Sequence, residues 1–313
     1  MDSFLNDNCA LYNGDCVQVM SSLPKASVDM ALFSPPFADL YCYSDSPNDL
    51  GNCSSYSEFF EHFGFVIDQL ARVIKPGRNC AVHCIDIPAM KERDGYIGLK
   101  DFPGDIIRAF TARGFIYHSR HAIWKDPLIE ATRTKAIGLM HKQLQKDSIL
   151  SRAGLPDYLL TFRNAGANAI PVTHPDGLKR YCGDSDPTRG ETGIKKSHHI
   201  WRAYADPIWS DIRQTHTLNV RAARDADDEK HLCPLQLDVI ERAVTLWSNP
   251  GETVLTPFMG VGSEVYGSLL NGRRGIGIEL KESYYAQAVR TIKSFDRDEV
   301  FELALTPCPE SNA

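Results

Sequence analysis

Two short stretches combine residue types that could do chemistry on a bound ligand. The first is Ser34-Pro35-Pro36-Phe37, which follows the apolar run Val28-Asp29-Met30-Ala31-Leu32-Phe33. Consecutive prolines fix φ and remove N–H donors, so the carbonyls of this turn are left to accept from a ligand. Ser34 adds a hydroxyl and Phe37 a flat apolar face. That set suits a planar heterocycle with an exocyclic amine, stacked on the ring and donating to the serine and a proline carbonyl. For the tetrapeptide alone, a rigid loop around a core phenylalanine is the plainer alternative.

The second stretch is Thr256-Pro257-Phe258-Met259-Gly260-Val261-Gly262-Ser263. Gly260 and Gly262 permit a tight backbone turn against a ligand, and a helix starting at Ser263 would present unpaired N–H groups to it. Glu279 closes the next apolar run, the place where an acid reads the ribose hydroxyls of a nucleotide-type ligand. The third glycine of the dinucleotide fingerprint is absent, because position 265 is Val. An adenosine without phosphates is therefore favoured over a pyrophosphate cofactor.

The elements that must hold these stretches can be read from hydrophobic spacing. Strands are predicted at Val28–Phe33, Ala81–Ile85, Phe115–Trp124, Thr253–Leu255 and Gly275–Ile278. Helices are predicted at Tyr56–Ile74, Asp105–Arg113, Leu235–Trp247, Ser263–Leu270 and Lys281–Ile292. Alternating strands and helices imply an α/β fold with a parallel sheet covered on both faces. Both stretches then lie at the carboxyl ends of strands, where open α/β sheets bind ligands. Residues 164–207 break the rhythm with repeated Gly and Pro, and read as an irregular insertion between segments 1–163 and 208–313.

A chain of 313 residues with 43% apolar and 24% charged side chains is an ordinary globular protein, which excludes disordered and fibrous classes. It lacks an apolar run long enough to span a bilayer, and the N-terminus reads Met-Asp-Ser-Phe-Leu-Asn-Asp, unlike a secretory signal. A soluble, cytoplasmic protein with no membrane partner is expected. The nine cysteines are odd in number and scattered, with no Cys-x-x-Cys, as in reduced cytosolic chains. Cys80, His83 and Cys84 are the tightest cluster, but their stretch reads as a core strand, and no metal is expected. Net charge is −6, yet residues 117–163 hold 8 Lys and Arg against 4 Asp and Glu. Such a basic stretch on an acidic chain could face phosphates.

The two motifs, in this order, resemble those of the DNA amino-methyltransferases that use S-adenosylmethionine. In that family an (S/D/N)-P-P-(Y/F/W) turn holds a flipped base and an F-x-G-x-G loop holds the cofactor. The catalytic turn comes first here, which resembles the permuted order of the β group of N4-cytosine and N6-adenine enzymes. Only one predicted strand follows the cofactor strand, so the N-terminal half must supply the rest of the sheet. Asn13-Gly14-Asp15, Ile74-Lys75-Pro76-Gly77, Ile208–Ile212 and His231–Leu235 resemble lesser family elements. The likeness covers residues 10–163 and 208–293. Thr256, where an Asp usually precedes Pro-Phe, and Cys233 depart from the pattern.

The resemblance implies a Rossmann-like methyltransferase sheet with residues 164–207 as a target-recognition insertion. It assigns Ser34, Pro35, Pro36 and Phe37 to catalysis. It assigns Phe258, Gly260, Gly262, Ser263 and Glu279 to the cofactor, with Asp15, His231 and Pro234 less directly. Double-stranded DNA would be gripped by Arg120, Lys125, Arg133, Lys135, Lys142, Lys146 and Arg152. Lys179, Arg180, Lys195, Lys196, His198 and His199 would be candidates for reading sequence. The serine favours cytosine N4 as the target, with adenine N6 as the alternative. An RNA or small-molecule methyltransferase and an inactive DNA-binding relative also stay open, as do a homodimer and a cognate restriction endonuclease.

Overall fold

The computed structural model describes residues 2–37, 50, 53, 55–89, 91–134, 144–149, 151–174, 178, 193–218 and 234–302. Among these residues nine strands form one sheet: β1 (Ser3–Leu5), β2 (Cys9–Asn13), β3 (Met30–Phe33), β4 (Asn79–Ile85), β7 (Ile116–Ile123), β8 (Asp157–Arg163), β9 (Ile208–Trp209), β10 (Thr253–Thr256) and β11 (Arg274–Glu279). Two short strands, β5 (Ile87–Ala89) and β6 (Gly98–Lys100), pair apart from it. The helices are α1 (Cys16–Ser22), α2 (Tyr56–Val73), α3 (Lys91–Asp94), α4 (Phe102–Ala112), α5 (Pro127–Thr134), α6 (Gly193–Ala205), α7 (Leu237–Trp247), α8 (Ser263–Leu270) and α9 (Glu282–Glu302).

The sheet order is β1-β2-β11-β10-β3-β4-β8-β7-β9. Strands β2, β11, β10, β3 and β4 are parallel neighbours, so the last two strands of the chain slot between β2 and β3 of its N-terminal half. This is the physical content of the permuted order, because neither half has a complete sheet without the other.

The sheet buries both faces. Ala31, Phe33, Cys80, Val82 and Cys84 point into a core shared with α2 and α4. Met30, Leu32, Ala81 and Leu159 point into a second core with α7. Alternate side chains of one strand serve opposite faces, which is why these strands read as continuous apolar runs. Helix α2 buries Phe59, Phe63, Val66, Ile67, Leu70 and Val73 along one stripe, and the Ser55 hydroxyl accepts from Glu58 N–H to cap it. At the amino end of the strands, Lys75 pairs with Asp29 at 2.5 Å and buried Arg78 pairs with Glu252. These ties fasten the edge remote from the ligand stretches.

Two expectations need correction. Strand β8 is absent from the sequence reading, and it runs antiparallel to both β4 and β7, so the sheet is mixed. The antiparallel edge strand β1 and the parallel strand β2 were also unforeseen. The stretch 164–207 is not irregular throughout, because α6 occupies Gly193–Ala205. Its apolar positions are interleaved with Lys and His, which diluted the helical signal. Among the described residues, no helix is long and apolar enough to cross a membrane.

Candidate active site

The carboxyl ends of β3, β10 and β11 open into one cleft of about 410 Å³. Register explains the convergence. Val254 and Leu255 of β10 pair with Met30 and Ala31 of β3, while Thr256 pairs with Gly277 of β11. The Ser34–Phe37 turn and the Phe258–Ser263 loop therefore leave adjacent parallel strands side by side. Ser34, Pro35, Pro36, Phe37, Phe258, Gly260, Ser263, Glu279, Asp15 and Pro234 all line the cleft. Residues more than 200 positions apart in the chain thus line one cleft.

Aromatic packing holds the two stretches at a fixed spacing. Phe33, the last residue of β3, meets Phe258 with ring centroids 5.7 Å apart. Phe37 packs edge-on against Phe102 at 6.2 Å, so one side of its ring is supported while it lines the cleft. Phe37 packs against the core and also lines the cavity.

The glycine loop is shaped as its residue types demand. Gly260 and Gly262 have φ of 54° and 95°, the left-handed region that glycine enters without a Cβ penalty. Gly262 caps α8 and does not itself line the cleft, and a Cβ there would stand 3.2 Å from the Cβ of Ala288. Glu279 accepts from the N–H of Gly260 at 2.8 Å and from the N–H of Lys281 at 2.9 Å. The acid expected to read a ribose therefore also braces the loop beside it. Asp15 caps α1 through a hydrogen bond from Gln18 N–H. Among the described residues, neither the hydroxyl of Ser263, only 2% exposed, nor that of buried Thr256 has a hydrogen-bond partner. An unpartnered buried hydroxyl beside a glycine turn and a helix N-terminus fits a polar ligand such as a nucleoside.

Several groups in or against the cleft escaped the sequence reading. Glu264 lines it, and burial pushes its carboxyl up to about 8, so it is largely neutral at pH 7. Lys281 lies 4.7 Å from the Tyr284 ring centre, and both line the cleft. Behind Ser34 runs a chain of polar side chains. Ser34 Oγ is 2.9 Å from His83 Nδ1, and His83 Nε2 is 3.0 Å from Asp157 Oδ2. Lys125 Nζ forms an ion pair with Asp157 Oδ1 at 2.5 Å. Burial alone would raise the Asp157 carboxyl, but His83 and Lys125 outweigh it and hold it below its ordinary range. His83 reads as an ordinary member of an apolar strand, and Asp157 opens the strand that went unrecognised.

The basic residues are less concentrated. Arg120 is exposed and lies 5.4 Å from the ring centre of Tyr158. Lys125 departs from the expected phosphate contact: its side chain is only 14% exposed and committed to Asp157. Arg152 approaches Glu130 at 4.0 Å, and Lys146 is exposed. Arg133 lies on α5, and Lys195, Lys196, His198 and His199 lie on α6, with His198 exposed. Lys135, Lys142, Lys179, Arg180 and His231 lie outside the described residues. Cys80 and Cys84 are buried in the core on β4.

Comparison with known proteins agrees with this architecture. Residues 28–290 match the family model of the N6/N4 DNA methylases. The chain is 25% identical over 285 residues to the type II methyltransferase M.BamHI of Bacillus amyloliquefaciens, covering 88% of this chain and 56% of that one. It is 23% identical over 282 residues to M.BglII of Bacillus subtilis, covering 88% and 66%. The chain thus spans less than two thirds of the length of these relatives. Among solved structures, the Thermus thermophilus protein TTHA0409, complexed with S-adenosyl-L-methionine, superposes with a TM-score of 0.60 at 22% identity, over 90% of this chain and 93% of that one. The PvuII DNA methyltransferase, described as cytosine-N4-specific, gives 0.58 at 17% identity, over 91% and 86%. At these identities the likeness is one of fold.

Proposed function

Because this chain belongs to the N6/N4 DNA methylase family, we propose that it methylates the exocyclic amine of a base flipped from duplex DNA, using S-adenosylmethionine, with cytosine N4 as the target. The observation that carries this reading is the single cleft lined by both Ser34–Phe37 and Phe258–Ser263. A target amine held at the first stretch would lie next to a methyl donor held at the second.

S-adenosylmethionine supplies an electrophilic methyl group on a sulfonium. Gly260 and Gly262 shape its seat, the Ser263 hydroxyl is open to it, and Glu279 borders it. The remaining work falls to Ser34, Pro35 and Phe37. An aryl amine is a poor nucleophile, because its lone pair is conjugated with the ring. N–H hydrogen bonds to Ser34 Oγ and the Pro35 carbonyl favour a pyramidal nitrogen and aim its lone pair at the methyl carbon. Holding reactants in line can account for roughly 7–11 kcal/mol of a barrier in favourable systems. Phe37 offers the face on which the extruded base stacks. Serine at position 34, the residue type that resembles the N4-cytosine members of the family, supports cytosine.

The test is mass spectrometry of nucleosides from unmethylated duplex DNA incubated with the protein and S-adenosylmethionine. N4-methylcytosine is the expected product. N6-methyladenine would overturn the choice of base and keep the reaction class. Methylation of RNA alone would overturn DNA as the substrate.

A further inference from the structure

We infer that His83 is a positioning residue for Ser34: it draws the serine hydroxyl proton away from the cleft, so that Ser34 presents only lone pairs to the target amine. This rests on the reading above, in which Ser34 touches that amine. A serine hydroxyl can donate or accept, and only acceptance pulls on an N–H. Aspartate or asparagine at the same point of the motif can present a carbonyl-type oxygen, whereas serine needs its own proton turned elsewhere.

The geometry supplies that direction. The Asp157 carboxylate can only accept, so the proton 3.0 Å away belongs to His83 Nε2. In the neutral ring Nδ1 is then an acceptor, and the partner 2.9 Å from it is Ser34 Oγ, which must donate. His83 and Lys125, which is paired with the other oxygen of Asp157, together keep that residue a carboxylate in spite of its burial. Three strands fix the arrangement. His83 lies in the middle of β4, Asp157 starts β8, and Lys125 follows β7, whose Ile123 pairs with Asp157.

The same chain gives the reaction's proton a place to go. Once the amine lone pair has bonded to the methyl carbon and the sulfur has kept the electrons of the broken bond, the nitrogen carries one proton too many. That proton passes to Ser34 Oγ as the hydroxyl proton passes to His83 Nδ1, and the nitrogen regains its lone pair. The resulting imidazolium faces the Asp157 carboxylate, and the proton returns by way of Ser34 to water when the product leaves. Among the described residues, the charged group against His83 is Asp157, with Lys125 on the far oxygen of that carboxylate. His121 lies in the same row across β8, with Arg242 of α7 acting on it. Asp86, Tyr158 and Arg120 form a separate cluster, with Tyr158 and Arg120 on the other face of the sheet.

The inference is tested first without turnover. Long-range 1H–15N NMR of the 15N-histidine-labelled chain should show His83 protonated on Nε2 and bare on Nδ1 near neutral pH; the opposite tautomer overturns it. Next, His83→Phe and His83→Asn are compared with wild type in single-turnover methylation from about pH 5 to 9. Asparagine keeps an acceptor for Ser34 but takes up no proton, and it decides the matter if the phenylalanine variant does not fold. We expect a loss of about 100-fold or more, the order of general acid–base assistance. The variants' pH–rate profile should be flatter on the acid side than that of wild type, and the Kd for S-adenosylmethionine should stay within about threefold. Variants within about threefold of wild type, with the wild-type pH profile, would overturn the role of His83 and leave the methyltransferase reading standing. A wild-type chain that binds S-adenosylmethionine but never methylates a base amine would overturn that reading, and this inference with it.

Discussion

The carboxylate of Glu279 accepts the backbone N–H of Gly260 at 2.8 Å, across the gap between the end of β11 and the loop after β10. Its second oxygen accepts from Lys281 N–H. One side chain therefore ties the glycine turn to the end of β11, whatever it also offers a ligand. Glu279→Ala should leave both donors without this acceptor, costing about 1–3 kcal/mol in stability. It should also weaken S-adenosylmethionine binding by about tenfold or more, while Glu279→Gln, with one acceptor left, should lose less of each. Denaturant melts and calorimetric titration check the pair. Equal behaviour of the two variants would mean that the brace has no role.

Ser34→Ala and Phe37→Ala act on the other wall of the cleft. On the proposed function each should cut single-turnover methylation by about 100-fold or more, because each would remove a group that orients the amine. Cofactor affinity should change little, since neither residue lies in the loop proposed to seat it. Full activity in both variants would remove this turn from the chemistry.

Glu264 makes stability depend on pH in an unusual direction for a carboxylate. Burial raises it from 4.5 to about 8, so between those values the folded chain holds a proton that the unfolded chain releases. The contribution is fully present below about 4.5 and is lost as pH rises through about 8. Glu264→Gln, neutral in both states, should gain on wild type steadily across that window. Melting curves of both chains at several pH values measure the difference. A constant gap would show that Glu264 titrates normally.

Lys125 and Lys146 should behave differently although both lie in the basic stretch. Lys125 is tied to Asp157, and Lys146 is exposed. Lys125→Met should slow methylation and destabilise the fold by about 1–3 kcal/mol, because a buried carboxylate loses a partner. It should leave the salt dependence of DNA binding unchanged. If Lys146 contacts a phosphate, Lys146→Ala should lower the slope of log affinity against log salt by about 1. A reduced slope for Lys125→Met would return that lysine to the DNA surface.

Much of this was written in local residue order. The Ser34–Phe37 turn, the Gly260–Gly262 loop and Glu279 each sit at the end of an apolar run. Local sterics, the missing N–H of proline and the φ freedom of glycine are properties of a few neighbouring residues. The alternation of strands and helices, and hence an α/β sheet with its ligand edge at the carboxyl ends, is equally local. What needed tertiary structure was everything that depends on which strands become neighbours. Strand β8 carries a short apolar run that periodicity alone does not distinguish from other buried segments, and it ranks as a strand because β4 and β7 pair with it. Only that pairing brings Asp157 to His83 and turns Lys125 inward. His83 in isolation is a histidine in an apolar strand, and its relation to Ser34, 49 residues away, exists because β3 and β4 lie side by side. Sequence reports the chemistry of a residue and its immediate neighbours, whereas hydrogen-bond direction and burial are set by residues the chain meets only after folding.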